Sequence, residues 1–138
     1  MRLMRIDHFG IVVKDIREHV RTHWPHWFSM DAFGPVIHDP LQKVRVAFLD
    51  LPGGRLELVE PAAEDSPVAA ILRRADASYN HICFEVPDLD AELKTCRRNG
   101  MIVVSSPQPA VAFDGRRIAF VLSRDGLLWE LLEAEAIA

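Results

Sequence analysis

The chain has 138 residues, 49% of them apolar and 26% charged, with two cysteines and a net charge of −4. One domain with a real core is expected, and a disordered chain, a disulfide framework and, for want of any basic block, a nucleic-acid binder are excluded. No run of 18 apolar residues occurs and the first ten residues lack the apolar centre of a secretion signal, so a cytoplasmic protein with no membrane partner is expected.

Residues 6–13 alternate as a strand, with His8, Gly10 and Val12 on one face and Phe9, Ile11 and Val13 on the other. Asp15 is placed to cap a helix. Ile16, Val20 and Trp24 recur in it at helical spacing and would cover the Phe9, Ile11 and Val13 face. Pro25 should end or kink it. Strands at 44–51 and 55–60 flank Pro52-Gly53-Gly54, a hairpin signal. Ser66-Pro67 opens a short helix to about Arg74. A strand at 79–86 sets His81, Cys83 and Glu85 on one face. Pro87-Asp88 starts a helix that reaches Arg98 and closes at Asn99-Gly100. A further strand is expected around 101–105. Strands at 117–122 and 127–132 flank Arg124-Asp125-Gly126.

This order is a repeat. RIDHFGIVVKDIREHV begins at Arg5 and SYNHICFEVPDLDAEL at Ser78, an offset of 73. The offset carries His8 onto His81, Asp15 onto Asp88 and, within RLELVE and LWELLE, Glu57 onto Glu130. Each half therefore reads β-α-β-β and holds a histidine that is followed, 49 residues later, by a glutamate. A single domain over 1–138 follows, with modules at 5–62 and 78–135 and a connecting helix at 65–75.

Glu57 and Glu130 fall on largely apolar strand faces, where a carboxylate is costly unless it is paired, hydrogen-bonded or bound to a metal. A strand histidine is commonly a core residue and a strand glutamate commonly faces water. One offset shared by both pairs couples the four. Two imidazoles and two carboxylates suit a divalent first-row metal with room for substrate or water; without thiolates, structural zinc is not indicated. Arg116 and Arg117, in a turn after Asp114-Gly115, are candidates for a substrate phosphate or carboxylate. Cys83 reads as a small buried thiol. His19, His23 and His26 read as a solvated helix face. Trp24 reads as helix core, with Trp27, Phe28 and Phe33 covering a sheet edge.

IDHFGIVVKDI, VRVAFLDLPGGRLELVEP, DSPVAAIL with NHICFEVPDLD, and FDGRRIAFV with DGLLWELLE resemble, end to end, the vicinal oxygen chelate superfamily of glyoxalases, bleomycin-resistance proteins and dioxygenases, and most of all its methylmalonyl-CoA epimerase branch. The resemblance implies an α+β fold of two tandem βαβββ modules forming a curved mixed-sheet, barrel-like cleft. It implies metal ligands at His8, Glu57, His81 and Glu130. It also implies one divalent ion per site (Co, Ni, Mn, Zn or Fe), a small-molecule substrate and a homodimer. Glu130 is the candidate base for α-proton abstraction, with a metal-stabilised enolate on an acyl-CoA or other α-carbonyl substrate. The branch usually carries a glutamate acid/base where DPLQKVRVAF has Leu41, and Asp39, His38 and Lys43 are the nearby groups that could replace it. The alternatives are an Fe(II) extradiol-type dioxygenase using His8, His81 and Glu130, and a non-catalytic small-molecule-binding protein of the resistance type.

Overall fold

In this computed structural model, residues 4–135 are described. The strands are β1 (Arg5–Val13), β2 (Ile37–Asp39), β3 (Val44–Leu51), β4 (Gly54–Pro61), β5 (Ala77–Val86), β6 (Ile102–Val103), β7 (Gln108–Pro109), β8 (Arg117–Leu122) and β9 (Leu128–Glu133). Two helices join them, α1 (Ile16–His23) and α2 (Leu89–Arg98), giving an α+β chain. No helix among the described residues is long and apolar enough to cross a membrane. The chain divides into two compact units. One is residues 9–80; the other combines the residues before Phe9 with those from His81 onward.

In the 9–80 unit, Asp15 caps α1 by accepting the Glu18 N–H at 2.9 Å. The helix ends at His23, just before Trp24 and Pro25. Its Ile16 and Val20 pack with Val13, Phe33, Ala47, Leu49 and Leu58, and Ile11, Trp24 and Phe28 flank them. Phe9 does not join this face; it stays half-exposed, close to Gly54 at the hairpin turn. β3 and β4 form an antiparallel hairpin through Pro52-Gly53, with Gly53 at φ 94°. That is the geometry in which proline presets the first corner and glycine the second. β2 adds to the free side of β3, an edge strand too short to show in the sequence pattern.

The segment expected as a connecting helix at 65–75 is instead a series of turns ending in a 3-10 turn, Ile71–Arg73. Ser66 does not cap it through its side chain, since its hydroxyl has no hydrogen-bond partner among the described residues.

In the other unit, β5 pairs parallel with β9, β9 antiparallel with β8, and β8 with the short strands β6 and β7. Asp88 caps α2 by accepting the Ala91 N–H at 3.0 Å. Gly100, at φ 79°, turns the chain out of the helix. Leu89, Leu93 and Cys96 pack on Val86, Ala119, Val121 and Leu131. Each unit thus lays one helix on one sheet face. The opposite faces carry the residues of interest.

Candidate metal centre

Three of the four expected ligands lie in one unit, each on its own strand: His8 on β1, His81 on β5 and Glu130 on β9. Strand alternation sends His81 and Cys83 to the face away from α2. In register, Cys83 sits opposite Glu130, and Glu130 opposite Phe120. All three candidate donors are buried, His8 completely.

Their polar atoms converge. His8 Nε2 lies 2.9 Å from Glu130 Oε1 and 3.2 Å from His81 Nε2, and His81 Nε2 lies 3.2 Å from Glu130 Oε1. Bonds of about 2.1 Å to a common ion would put neighbouring donors roughly 3.0–3.4 Å apart. Glu130 Oε1 is buried and accepts no hydrogen bond from a described residue, although two imidazoles stand beside it. A buried carboxylate oxygen left without an aligned donor is costly, and a cation among these atoms would satisfy it. The residues therefore fit a divalent ion.

The surroundings are apolar. The Phe113 ring stacks on His8 at 5.7 Å, and Phe120 meets His81 edge-on at 5.3 Å. Burial acts to raise the Glu130 carboxyl, but the His8 and His81 imidazoles outweigh it and hold the group below the usual carboxylate range. Cys83 is fully buried, and burial together with the Glu130 charge pushes its thiol far up. It is an inert thiol, as its surroundings in the sequence suggest.

His8 Nδ1 lies 2.7 Å from Asp7 Oδ2. Sequence reasoning missed Asp7 because strict strand alternation places it on the face opposite His8. It missed Phe113 and Phe120 because nothing in a linear pattern ties them to a histidine.

Glu57 belongs to the 9–80 unit. It is buried on β4 opposite Phe48, on the face that also carries Arg55 and Val59. The Arg55 guanidinium lies 4.2 Å over the Phe48 ring. Leu41 is exposed. Among its neighbours, Asp39 is on the Glu57 face but accepts from Leu41 N, Gln42 N and Gln42 Nε2, which fastens it to its own turn. His38 pairs in register with Arg45, on the side of Ala47 and Leu49 that packs against α1. Lys43 pairs with Asp65. None of the three is a spare acid/base on the Glu57 face.

Arg117 joins Asp90 of α2 to Glu133 of β9, at 2.9 and 3.0 Å. Arg116 donates to Glu85 and to the Glu133 carbonyl, both at 3.3 Å, and borders a cleft of about 1030 Å³ that Arg5, Asp7 and Glu133 also line. His19 is not solvated as expected: it is buried, with His23 stacked on it at 4.2 Å and Trp24 edge-on at 4.9 Å. Trp27, expected over a sheet edge, is 76% exposed.

Residues 7–120 match the profile of the Glyoxalase/Bleomycin resistance protein/Dioxygenase superfamily. The chain belongs to that superfamily. It is 31% identical over 130 residues to an ethylmalonyl-CoA/methylmalonyl-CoA epimerase of Cereibacter sphaeroides, covering 92% of this chain and 96% of that one. Among solved structures, the methylmalonyl-CoA epimerase of Mycobacterium tuberculosis matches at TM-score 0.75 and 27% identity, over 95% of this chain and 88% of that one. A variant of the Streptomyces coelicolor methylmalonyl-CoA epimerase in complex with 2-nitronate-propionyl-CoA matches at TM-score 0.74 and 31% identity, over 96% and 98%. These relatives are isomerase-type enzymes, and the chain is an enzyme of this kind.

Proposed function

We propose that the protein is a divalent-metal-dependent isomerase of epimerase type that removes the α-proton of an acyl-CoA. The observation that carries this reading is the convergence of His8, His81 and the orphaned Glu130 Oε1. His8, His81 and Glu130 would hold the ion. We assign Glu57 as the fourth ligand, on the strength of its burial, its apolar strand face and the offset that pairs it with Glu130. The donor set suits Co, Ni, Mn, Zn or Fe. When bound, the ion supplies Lewis-acid stabilisation of the charge that develops on a substrate carbonyl oxygen as the α-proton leaves.

The rest belongs to the chain. Glu130 takes the α-proton. Phe113 and Phe120 keep water from the histidines. Arg116, beside the open cleft, is our candidate for a substrate anion; Arg117 is assigned to the scaffold because its guanidinium is held by Asp90 and Glu133. With leucine at 41, Glu130 both removes and returns the proton, so α-hydrogen exchange is expected to outrun inversion. The homodimer and the cytoplasmic setting remain part of this reading, supported by the resemblance and by composition respectively.

An Fe(II) extradiol-type dioxygenase would also use two histidines and one carboxylate. The buried Glu57 and the acyl-CoA epimerase relatives favour the first reading. The test is incubation of metal-loaded protein with methylmalonyl-CoA and ethylmalonyl-CoA in D₂O. Deuterium entering the α-position, and lost in Glu130→Gln, is the expected result. No exchange with either substrate, together with oxygen uptake on a catechol, would overturn it.

A further inference from the structure

We infer that Asp7 is a positioning residue: it fixes which nitrogen of His8 carries the proton, and so turns the Nε2 lone pair toward Glu130 and His81. This rests on the metal-site reading above and extends it to a residue outside the ligand set.

The geometry starts from one short contact. His8 Nδ1 and Asp7 Oδ2 are 2.7 Å apart, the distance of a charge-assisted hydrogen bond. A carboxylate can only accept, so Nδ1 must be the donor. A neutral imidazole has one proton, and once Nδ1 holds it, Nε2 is a bare acceptor. Nε2 is the atom that meets Glu130 Oε1 at 2.9 Å and His81 Nε2 at 3.2 Å. The opposite tautomer would point an N–H into the space where three donors meet.

Burial makes the arrangement matter. The His8 side chain is fully enclosed, while Asp7 retains 13% exposure. Asp7 also lines the 1030 Å³ cleft beside Arg5, Glu85 and Arg116. The carboxylate therefore stands between solvent and the buried imidazole. Adjacent strand residues normally point apart, so a bond between Asp7 and His8 requires the aspartate to reach around its own backbone. Carboxylate partners of this kind orient a ligating histidine and raise its basicity, and removing one typically costs about 10–100-fold in metal affinity. In the second half of the repeat the residue before His81 is Asn80, a neutral amide.

The test uses the full chain and two readouts. The first is long-range ¹⁵N NMR of the His8 ring in metal-free protein. Wild type should show Nδ1 protonated; Asp7→Ala should lose that signature, and Asp7→Asn should keep much of it, because its amide oxygen can still accept. The second is Co²⁺ affinity by titration of the visible absorption of the bound ion. Asp7→Ala should bind about 10–100-fold more weakly than wild type, with Asp7→Asn between them. An unchanged His8 tautomer and unchanged Co²⁺ affinity in Asp7→Ala would overturn the inference. If wild type took up neither Co²⁺ nor Ni, Mn, Zn or Fe, the metal reading would fail, and the metal-free NMR comparison would still decide the role of Asp7. Should Asp7→Ala not fold, Asp7→Asn carries the affinity comparison, and a Co²⁺ affinity identical to wild type would overturn the inference.

Discussion

His8 Nε2 approaches Glu130 Oε1 to 2.9 Å, yet that oxygen accepts no hydrogen bond among the described residues. Proximity without alignment is what lone pairs show when they are arranged around a cation rather than around a proton. Glu130→Gln keeps the shape and removes the charge. We expect it to lower α-proton exchange by about 10²–10⁴-fold, the usual contribution of a positioned base, and to weaken metal retention. Deuterium incorporation and elemental analysis of the same sample measure the two effects separately.

His19 gives a pH-dependent signature away from that centre. Burial, then the charge of the stacked His23, hold it below its ordinary value, with Asp76 opposing. The folded protein therefore keeps His19 neutral where the unfolded chain takes up a proton. Stability should fall as pH drops through the ordinary imidazole range and level off below the lowered folded value. His19→Gln should flatten that dependence. Urea unfolding at a series of pH values between about 7.5 and 5.5 checks it.

Arg117 acts in the opposite pH region. Its hydrogen bonds hold Asp90 and Glu133 below the usual carboxylate range. Their contribution to stability is present above the ordinary carboxylate values and is lost as pH falls through the lowered ones. Arg117→Met should be less stable than wild type at neutral pH, and the gap should close in acid. Thermal melts of both proteins from neutral to acidic pH test this, and the folded Arg117→Met protein should keep the metal content of wild type.

Leu58 is fully buried among Val13, Ile16 and Ala47. Leu58→Ala should cost about 2–5 kcal/mol. Asp15→Ala, which removes the α1 cap, should cost about 1 kcal/mol. Denaturant unfolding distinguishes the two, and a Leu58→Ala effect no larger than that of the cap would contradict the packing described.

The long elements were legible because their signals are local. Asp15 and Asp88 as caps, Pro52-Gly53 at a turn, and alternation along β3 and β8 each depend on a few neighbouring residues. The repeat ties His8 to His81 and Glu57 to Glu130 by a single sequence offset. What stayed hidden depends on distant packing. β2 and β7 are too short for periodicity, and the turns at 65–75 follow proline and serine that mimic a helix start. His19 is buried because Trp24 and His23 cover it, which no helical spacing reveals. Asp7 escaped because alternation describes where a side chain leaves the backbone and not where its carboxylate ends.

Metal content is the most direct measurement: elemental analysis of protein purified without an affinity tag, alongside His8→Ala and Glu130→Ala. About one divalent ion per chain in wild type, lost in both folded variants, is the expected result. A chain that holds no ion, even after reconstitution with Co, Ni, Mn, Zn and Fe, would contradict the metal centre and leave His8, His81 and Glu130 as a buried polar cluster of another purpose.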